Sequence, residues 1–140
     1  MPFLLKKKSS IIYTTSGLAL VPLPRCPNYN ATKAALHQFI LALRRQLEKT
    51  PVTVIELFPP AVQTELHDAK HQPDIENGRQ IGMPLDEFME AAWKGLVAGK
   101  EEVAVGFAQT AVDKVDGPRK EMMAHMPWDP AEFDKTFRQQ

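Results

Sequence analysis

The fold is decided by residues 10–64, which read SIIYTTSGLALVPLPRCPNYNATKAALHQFILALRRQLEKTPVTVIELFPPAVQT. Ser10–Thr15 is short and rich in β-branched and aromatic residues without clean alternation, which is typical of a buried parallel strand. Gly17–Pro27 contains three prolines and a glycine, and this composition predicts a loop. Val52–Phe58 (VTVIELF) has the pattern of a second buried strand, and two prolines end it.

The residues between these strands carry the strongest helix signal. Asn28–Lys49 has a wide apolar face made of two stripes, which are Leu36, Ile40, Leu43 and Leu47, and Ala31, Ala35, Phe39 and Ala42. Pro27 precedes the first turn, and Pro51 forces the residue before it out of the helical region. A face this wide predicts packing on a sheet on one side and on another helix or a second subunit on the other.

The rest of the chain continues the alternation of helices and strands. Ala61–Pro84 is polar and irregular, with one helical turn predicted near residues 63–69. The further predicted elements are a helix at Leu85–Ala98, a strand at Glu102–Val105, a weak helix at Phe107–Val115 and a capped helix at Asp129–Arg138. Strands separated by helices form a parallel sheet with right-handed crossovers, so the predicted class is α/β with about three parallel strands and flanking helices.

Composition and charge restrict the possible functions. The 140 residues fit one domain, which we divide into a folded part at 1–116 and a helical tail at 117–140. Seventeen basic residues balance 17 acidic residues, which predicts no binding to nucleic acid or to an anionic membrane. Cys26 is the only cysteine, and the chain has no membrane-spanning run and no secretory signal pattern. We therefore expect a cytoplasmic location.

In a parallel sheet, ligands bind outside the carboxyl ends of the strands. Ser16 directly follows the first strand, and Tyr29 and Lys33 lie four residues apart in the first turns of the long helix. Side chains at this spacing share one helix face. A nearby ammonium group and the helix N-terminus both favour a phenolate, which suits a group that exchanges protons near neutral pH.

This arrangement resembles the carboxyl-terminal half of the short-chain dehydrogenase/reductase family. The resemblance rests on the strand Ile11–Thr15 with Ser16 and Gly17, on Tyr29-Asn30-Ala31-Thr32-Lys33, and on the strand Val54–Phe58 with Pro59 and Thr64 after it. It covers roughly residues 9–106. Two positions depart from the family pattern, since Pro60 stands where glycine is common and Tyr13 where asparagine is common.

The resemblance implies a Rossmann-like, NAD(P)-dependent oxidoreductase that acts on a small carbonyl or alcohol substrate. It implies that Tyr29 is the general acid/base, that Lys33 favours the phenolate and binds the nicotinamide ribose, and that Ser16 hydrogen-bonds the substrate oxygen. Pro59, Val62 and Thr64 would contact the cofactor, NAD or NADP. Subunit pairing through helix 28–49, giving a homo-oligomer, is a further implication.

None of the seven glycines stands in a Gly-rich turn between a strand and a helix. The resemblance therefore implies that the turn that binds the pyrophosphate in this family would precede these residues. We expect weak or no dinucleotide binding by these 140 residues alone. The alternative to an oxidoreductase is therefore a catalytically silent fragment that acts at most as an interaction module. We also expect self-association, because Ile11–Thr15 would have one unpaired edge.

The remaining polar and aromatic residues are assigned to packing or to the surface. His67 and His71 are four residues apart without the Glu-bearing zinc motif, so no metal site is predicted. His37 and His125 are interpreted as surface or packing residues. Trp93 is interpreted as part of the core face of its helix.

Overall fold

Three parallel strands form one sheet at the centre of the fold. The structure is a computed structural model and describes residues 2–127. The strands are β1 (Ser9–Thr14), β2 (Val52–Phe58) and β3 (Glu102–Ala104), in the spatial order β1-β2-β3. Ser9 pairs with Val52 at one end of the β1–β2 ladder and Thr14 pairs with Leu57 at the other. The α/β class with a parallel sheet, predicted from the sequence, is confirmed.

Four α-helices accompany the sheet in residues 2–127, and the first two have bounds close to the predicted ones. They are α1 (Pro27–Leu47), α2 (Leu85–Val97), α3 (Phe107–Ala111) and α4 (Gly117–Ala124), and a π-helical segment at Val112–Asp116 joins the last two. Pro27 is the first residue of α1, because its fixed φ suits a first turn in which the missing N–H has no partner. The helix predicted at Asp129–Arg138 lies outside the described residues, as does most of the predicted tail.

The two long helices cover opposite faces of the sheet. Successive side chains of a strand point to opposite faces. In β2, Val54 packs with Ile40 and Leu43 of α1, whereas Ile55 packs with Phe88 of α2. In passing from β1 to β2 and from β2 to β3, the chain moves across the sheet in the same direction. One connection runs over one face through α1 and the other over the opposite face through α2, so the two crossovers have opposite handedness. The expectation that every crossover is right-handed is therefore wrong for one of the two.

The face of α2 that packs on the sheet differs from the predicted one. Phe88 and Ala92 are buried against Val103 of β3, and Gly95 lies so close to this strand that an added Cβ would stand 2.6 Å from the Val103 side chain. Trp93 points away from this face and is 66% exposed. The interpretation of Trp93 as a core residue is wrong, because α2 packs on the sheet through Phe88, Ala92 and Gly95 and leaves the Trp93 side chain toward solvent.

Candidate active site

The carboxyl ends of the three strands are joined by backbone hydrogen bonds. The N–H of Thr15 donates to the carbonyl of Leu57 at 2.9 Å, and the N–H of Val105 donates to the carbonyl of Phe58 at 3.2 Å. The segments that follow β1, β2 and β3 therefore start at one edge of the sheet. This is the edge at which the topology predicts a ligand.

Tyr29 and Lys33 lie in the first two turns of α1. The Lys33 Nζ atom is 5.6 Å from the centroid of the Tyr29 ring. The same Nζ donates a hydrogen bond to the carbonyl of Thr14 at 2.9 Å, which ties α1 to the last residue of β1. Tyr29 is 43% exposed, so its ring stays accessible from solvent. A cation and an accessible phenol thus stand together beside the end of β1.

Ser16 is nearly buried, and one contact fixes its hydroxyl. Its backbone is extended, and Oγ accepts a hydrogen bond from the N–H of Leu18 at 3.1 Å, which caps the short helix Gly17–Ala19. A hydroxyl that accepts in this way still has its own hydrogen to donate. Within residues 2–127 no hydrogen bond joins the hydroxyls of Ser16 and Tyr29.

The segment after β2 contains three residues that were expected to contact the cofactor, and each is held by a contact of its own. The carbonyl of Pro59 accepts a hydrogen bond from the N–H of Gly17 at 3.4 Å, which joins the loops after β1 and β2. Val62 forms a parallel bridge with Met83, and the hydroxyl of Thr64 caps the short helix Glu65–His67. In the described part of the chain, no hydrogen bond connects Val62 or Thr64 to the tyrosine–lysine pair.

A buried polar cluster lies behind this edge, between α1, β2 and the C-terminal helices. His37, Glu56 and Asp116 are completely buried, and Thr15 is 1% exposed. His37 Nδ1 lies 3.0 Å from both carboxylate oxygens of Glu56, and Nε2 lies 3.1 Å from Asp116 Oδ1. The hydroxyl of Thr15 donates to Glu56 Oε1 at 2.7 Å. The imidazole therefore lies between two buried carboxylates.

The charges of this cluster follow from its contacts. Burial by itself lowers the pKa of His37, but hydrogen bonds to Asp116 and Glu56 and the charges of both carboxylates raise it to about 9. Burial by itself raises the pKa of Asp116, but the hydrogen bond and charge of His37, with the charges of Lys120 and Arg119, lower it overall. At neutral pH the cluster thus contains an imidazolium paired with carboxylates.

Sequence reasoning missed this cluster. His37 was interpreted as a surface or packing residue, and burial of its whole side chain excludes the surface alternative and agrees with packing. The sequences of β2 and α1 each contained one signal that could have indicated the cluster. Glu56 is the only charged residue in VTVIELF, and a lone carboxylate in a buried strand requires a partner. Tyr29, Lys33 and His37 also recur at four-residue spacing on α1, which places them along one side of the helix.

Comparison with known proteins identifies the family. A family model described as short chain dehydrogenase matches residues 1–74, more than half of the chain. The chain therefore belongs to the short-chain dehydrogenase/reductase family, and the resemblance found in the sequence is confirmed.

Three individual proteins illustrate the relationship. An uncharacterized oxidoreductase, DltE, of Bacillus subtilis is 37% identical over 139 residues, which cover 99% of this chain and 49% of that protein. An NADPH-dependent 1-acyldihydroxyacetone phosphate reductase of Saccharomyces cerevisiae is 33% identical over 74% of this chain and 40% of its own length. The crystal structure of a short chain dehydrogenase from Burkholderia cenocepacia in complex with NADP aligns with a TM-score of 0.66 at 26% identity, covering 90% of this chain and 51% of that one.

The chain spans about half or less of the length of these relatives. The fold is accordingly a partial Rossmann-like sheet. None of the helices in residues 2–127 has the length and apolar character needed to cross a bilayer. In the same residues, no group of three or more His, Cys, Asp or Glu side chains is arranged to hold a metal ion.

Proposed function

We propose that this chain supplies the proton-transfer half of an NAD(P)-dependent oxidoreductase that interconverts a small carbonyl compound and an alcohol. The observation that carries the proposal is the joint placement of Tyr29 and Lys33 beside the end of β1, at the edge of the sheet where Ser16 follows that strand. The family membership and the NADP complex of a structural relative support the same class of reaction.

Each of the three side chains has one task in this proposal. The Tyr29 hydroxyl donates its proton to a carbonyl oxygen, or receives the proton of an alcohol in the reverse direction. The Lys33 ammonium stands beside the ring and favours the phenolate that remains after donation. Ser16 uses its free hydroxyl hydrogen to bind the same substrate oxygen, while its Oγ stays fixed by Leu18.

The residues at this edge fit the nicotinamide end of NAD or NADP. Tyr29 is accessible, Lys33 has further N–H donors beyond the one used on Thr14, and Pro59 begins a loop at the same edge. We assign Tyr29, Lys33, Pro59, Val62 and Thr64 to cofactor contacts on this basis. When bound, the cofactor supplies or accepts the hydride, and the protein orients the reactants and handles the proton.

The decisive experiment compares Tyr29→Phe with Tyr13→Phe. Both substitutions remove one phenol hydroxyl, and these are the only two tyrosines in the chain. Tyr13 packs edge-to-face against the Phe39 ring, so it serves as the matched control. We expect Tyr29→Phe to lower kcat by about 10²- to 10⁴-fold, the usual contribution of a general acid/base, with no loss of thermal stability. Turnover that survives in Tyr29→Phe would remove the assignment.

A second candidate function is an interaction module without turnover. Phe39 favours it, because this aromatic residue on α1 is 51% exposed and offers an apolar surface to a second copy of the chain. Calorimetric titration with NADH and NADPH separates the candidates when combined with sedimentation analysis. Tight dinucleotide binding supports the oxidoreductase, and a dimer that is lost in Phe39→Ser without any dinucleotide binding supports the module.

A further inference from the structure

A continuous line of hydrogen bonds connects the C-terminal helices to the edge of the sheet. It runs from Asp116 to His37 at 3.1 Å, from His37 to Glu56 at 3.0 Å, and from Glu56 to Thr15 at 2.7 Å. All four residues are buried. The line therefore joins three separate elements, α1, β2 and the end of the π-helical segment, to the residue just after β1.

The line ends next to the residues of the proposed site. Thr15 stands between Thr14, whose carbonyl accepts from Lys33, and Ser16, whose hydroxyl accepts from Leu18. Three consecutive residues are thus held by three different contacts. A movement of Thr15 would displace both the anchor of the lysine and the serine hydroxyl, because all three share one short stretch of backbone.

The line also passes through the helix that carries the other two site residues. His37 is one turn beyond Lys33 and two turns beyond Tyr29 on α1. Because both ring nitrogens of His37 are bonded, the imidazole fixes the rotation of α1 about its axis and its position over β2. Fixing the rotation at His37 fixes the direction in which the turns before it present their side chains.

We propose that Thr15, Glu56 and His37 are positioning residues of the active site. They hold the end of β1 and the first turns of α1 in one mutual arrangement, so that Ser16, Tyr29 and Lys33 can act on the same substrate oxygen. This inference rests on the proposed function for its catalytic consequence. The arrangement itself is independent of that function and can be measured separately.

Stability alone does not explain these residue types. Burying an imidazolium and two carboxylates costs desolvation free energy, and well-packed apolar side chains of similar volume are often as stable or more stable. A hydrogen-bonded network restricts geometry more tightly than apolar packing does, since each bond has a preferred distance and angle. The property that the network adds is a tightly restricted geometry, and this property serves the positioning of side chains.

The test compares two substitutions at the end of the line that touches the site. Thr15→Val keeps the shape of the side chain and removes the hydroxyl, whereas Thr15→Ser keeps the hydroxyl. Thr53→Val on β2 is the matched control, because it removes a threonine hydroxyl that makes no hydrogen bond to the described residues. Where the unsubstituted protein turns over, we expect Thr15→Val to lower kcat by about 10- to 100-fold with the KM for the dinucleotide unchanged, and Thr15→Ser to restore kcat to within about two-fold.

A second measurement does not depend on turnover. Hydrogen exchange at the Gly17 and Leu18 amides reports the two bonds that fix this stretch, to Pro59 and to Ser16. We expect exchange at both amides to be about 10-fold faster in Thr15→Val than in Thr15→Ser or Thr53→Val, with exchange in α2 unchanged.

The outcomes separate the inference from the proposed function. If the unsubstituted protein binds NADH or NADPH but shows no turnover, the proposed function fails, and faster exchange confined to residues 17 and 18 still supports the positioning role. If Thr15→Val and Thr15→Ser give the same exchange rates and the same kcat, the line of hydrogen bonds does not position the site and the inference is overturned. A uniform loss of protection in all elements would also overturn it, because it would show a purely structural role.

Discussion

Replacing His37 by glutamine removes the cation from the buried cluster and leaves the carboxylates of Glu56 and Asp116 without it. The rise in the pKa of His37 from 6.5 to about 9 corresponds, at about 1.36 kcal/mol per pH unit, to about 3 kcal/mol of folding free energy. Removal of one partner from a buried ion pair costs a similar amount, about 3–5 kcal/mol. We therefore expect His37→Gln to lower the free energy of unfolding by about 3 kcal/mol at neutral pH.

The sign of the pH dependence follows from the direction of this change. The folded-state pKa of His37 lies above the unfolded value of 6.5, so the stabilisation is fully present below pH 6.5 and is lost as the pH rises through about 9. The lowered pKa of Asp116 describes the same ion pair from the acidic side, where the contribution is lost as the pH falls through the folded-state value. The two descriptions share one interaction energy and are not added.

Urea unfolding at pH values of about 6 and about 10 measures the effect, because only the unsubstituted protein contains the buried imidazole of His37. We expect its free energy of unfolding to fall between these pH values by about 3 kcal/mol more than that of His37→Gln. His125→Gln, at an exposed position, is the control and should follow the unsubstituted protein. Where His37→Gln does not fold, NMR titration of the His37 ring in the unsubstituted protein gives the pKa directly. Parallel pH profiles, or a titration of His37 near 6.5, would refute this reasoning.

Three further predictions concern the loop, the sheet edge and the site. Gly82→Ala should cost about 2–4 kcal/mol in urea unfolding, because φ is +94° and the new Cβ would stand 2.2 Å from the Ala61 carbonyl oxygen; Gly99→Ala, at φ +70° with open space around it, should cost only about 1 kcal/mol. Ile12 is 51% exposed on a strand that pairs with β2 alone in residues 2–127, so Ile12→Lys should reduce self-association in sedimentation velocity, and an unchanged distribution would contradict the role of this edge. Lys33→Met should lower kcat by about 10²-fold or more, and near-normal turnover would count against the tyrosine–lysine pair.

Elements with strong local patterns were predictable from the sequence. Val52–Phe58 was assigned with its observed bounds, and α1 was found to within two residues at each end. The pairing of Tyr29 with Lys33 also follows from spacing, because residues four apart on a helix share a face whatever surrounds them. The helical part of the chain after Ala111 was less predictable, since the π-helical segment Val112–Asp116 leaves no periodic apolar pattern in the sequence.

By itself, the sequence determined the order of strands and helices and the candidate residues that follow the strands, because these depend on neighbours within about one or two helical turns. The parallel sheet followed from that order, because strands separated by helices form βαβ units. Only the tertiary structure decided that α2 lies on the face opposite α1 and that His37 lies between Glu56 and Asp116. These contacts join residues 19 and 79 positions apart in the chain. No local periodicity encodes such a separation, because the packing of whole elements sets which distant side chains meet.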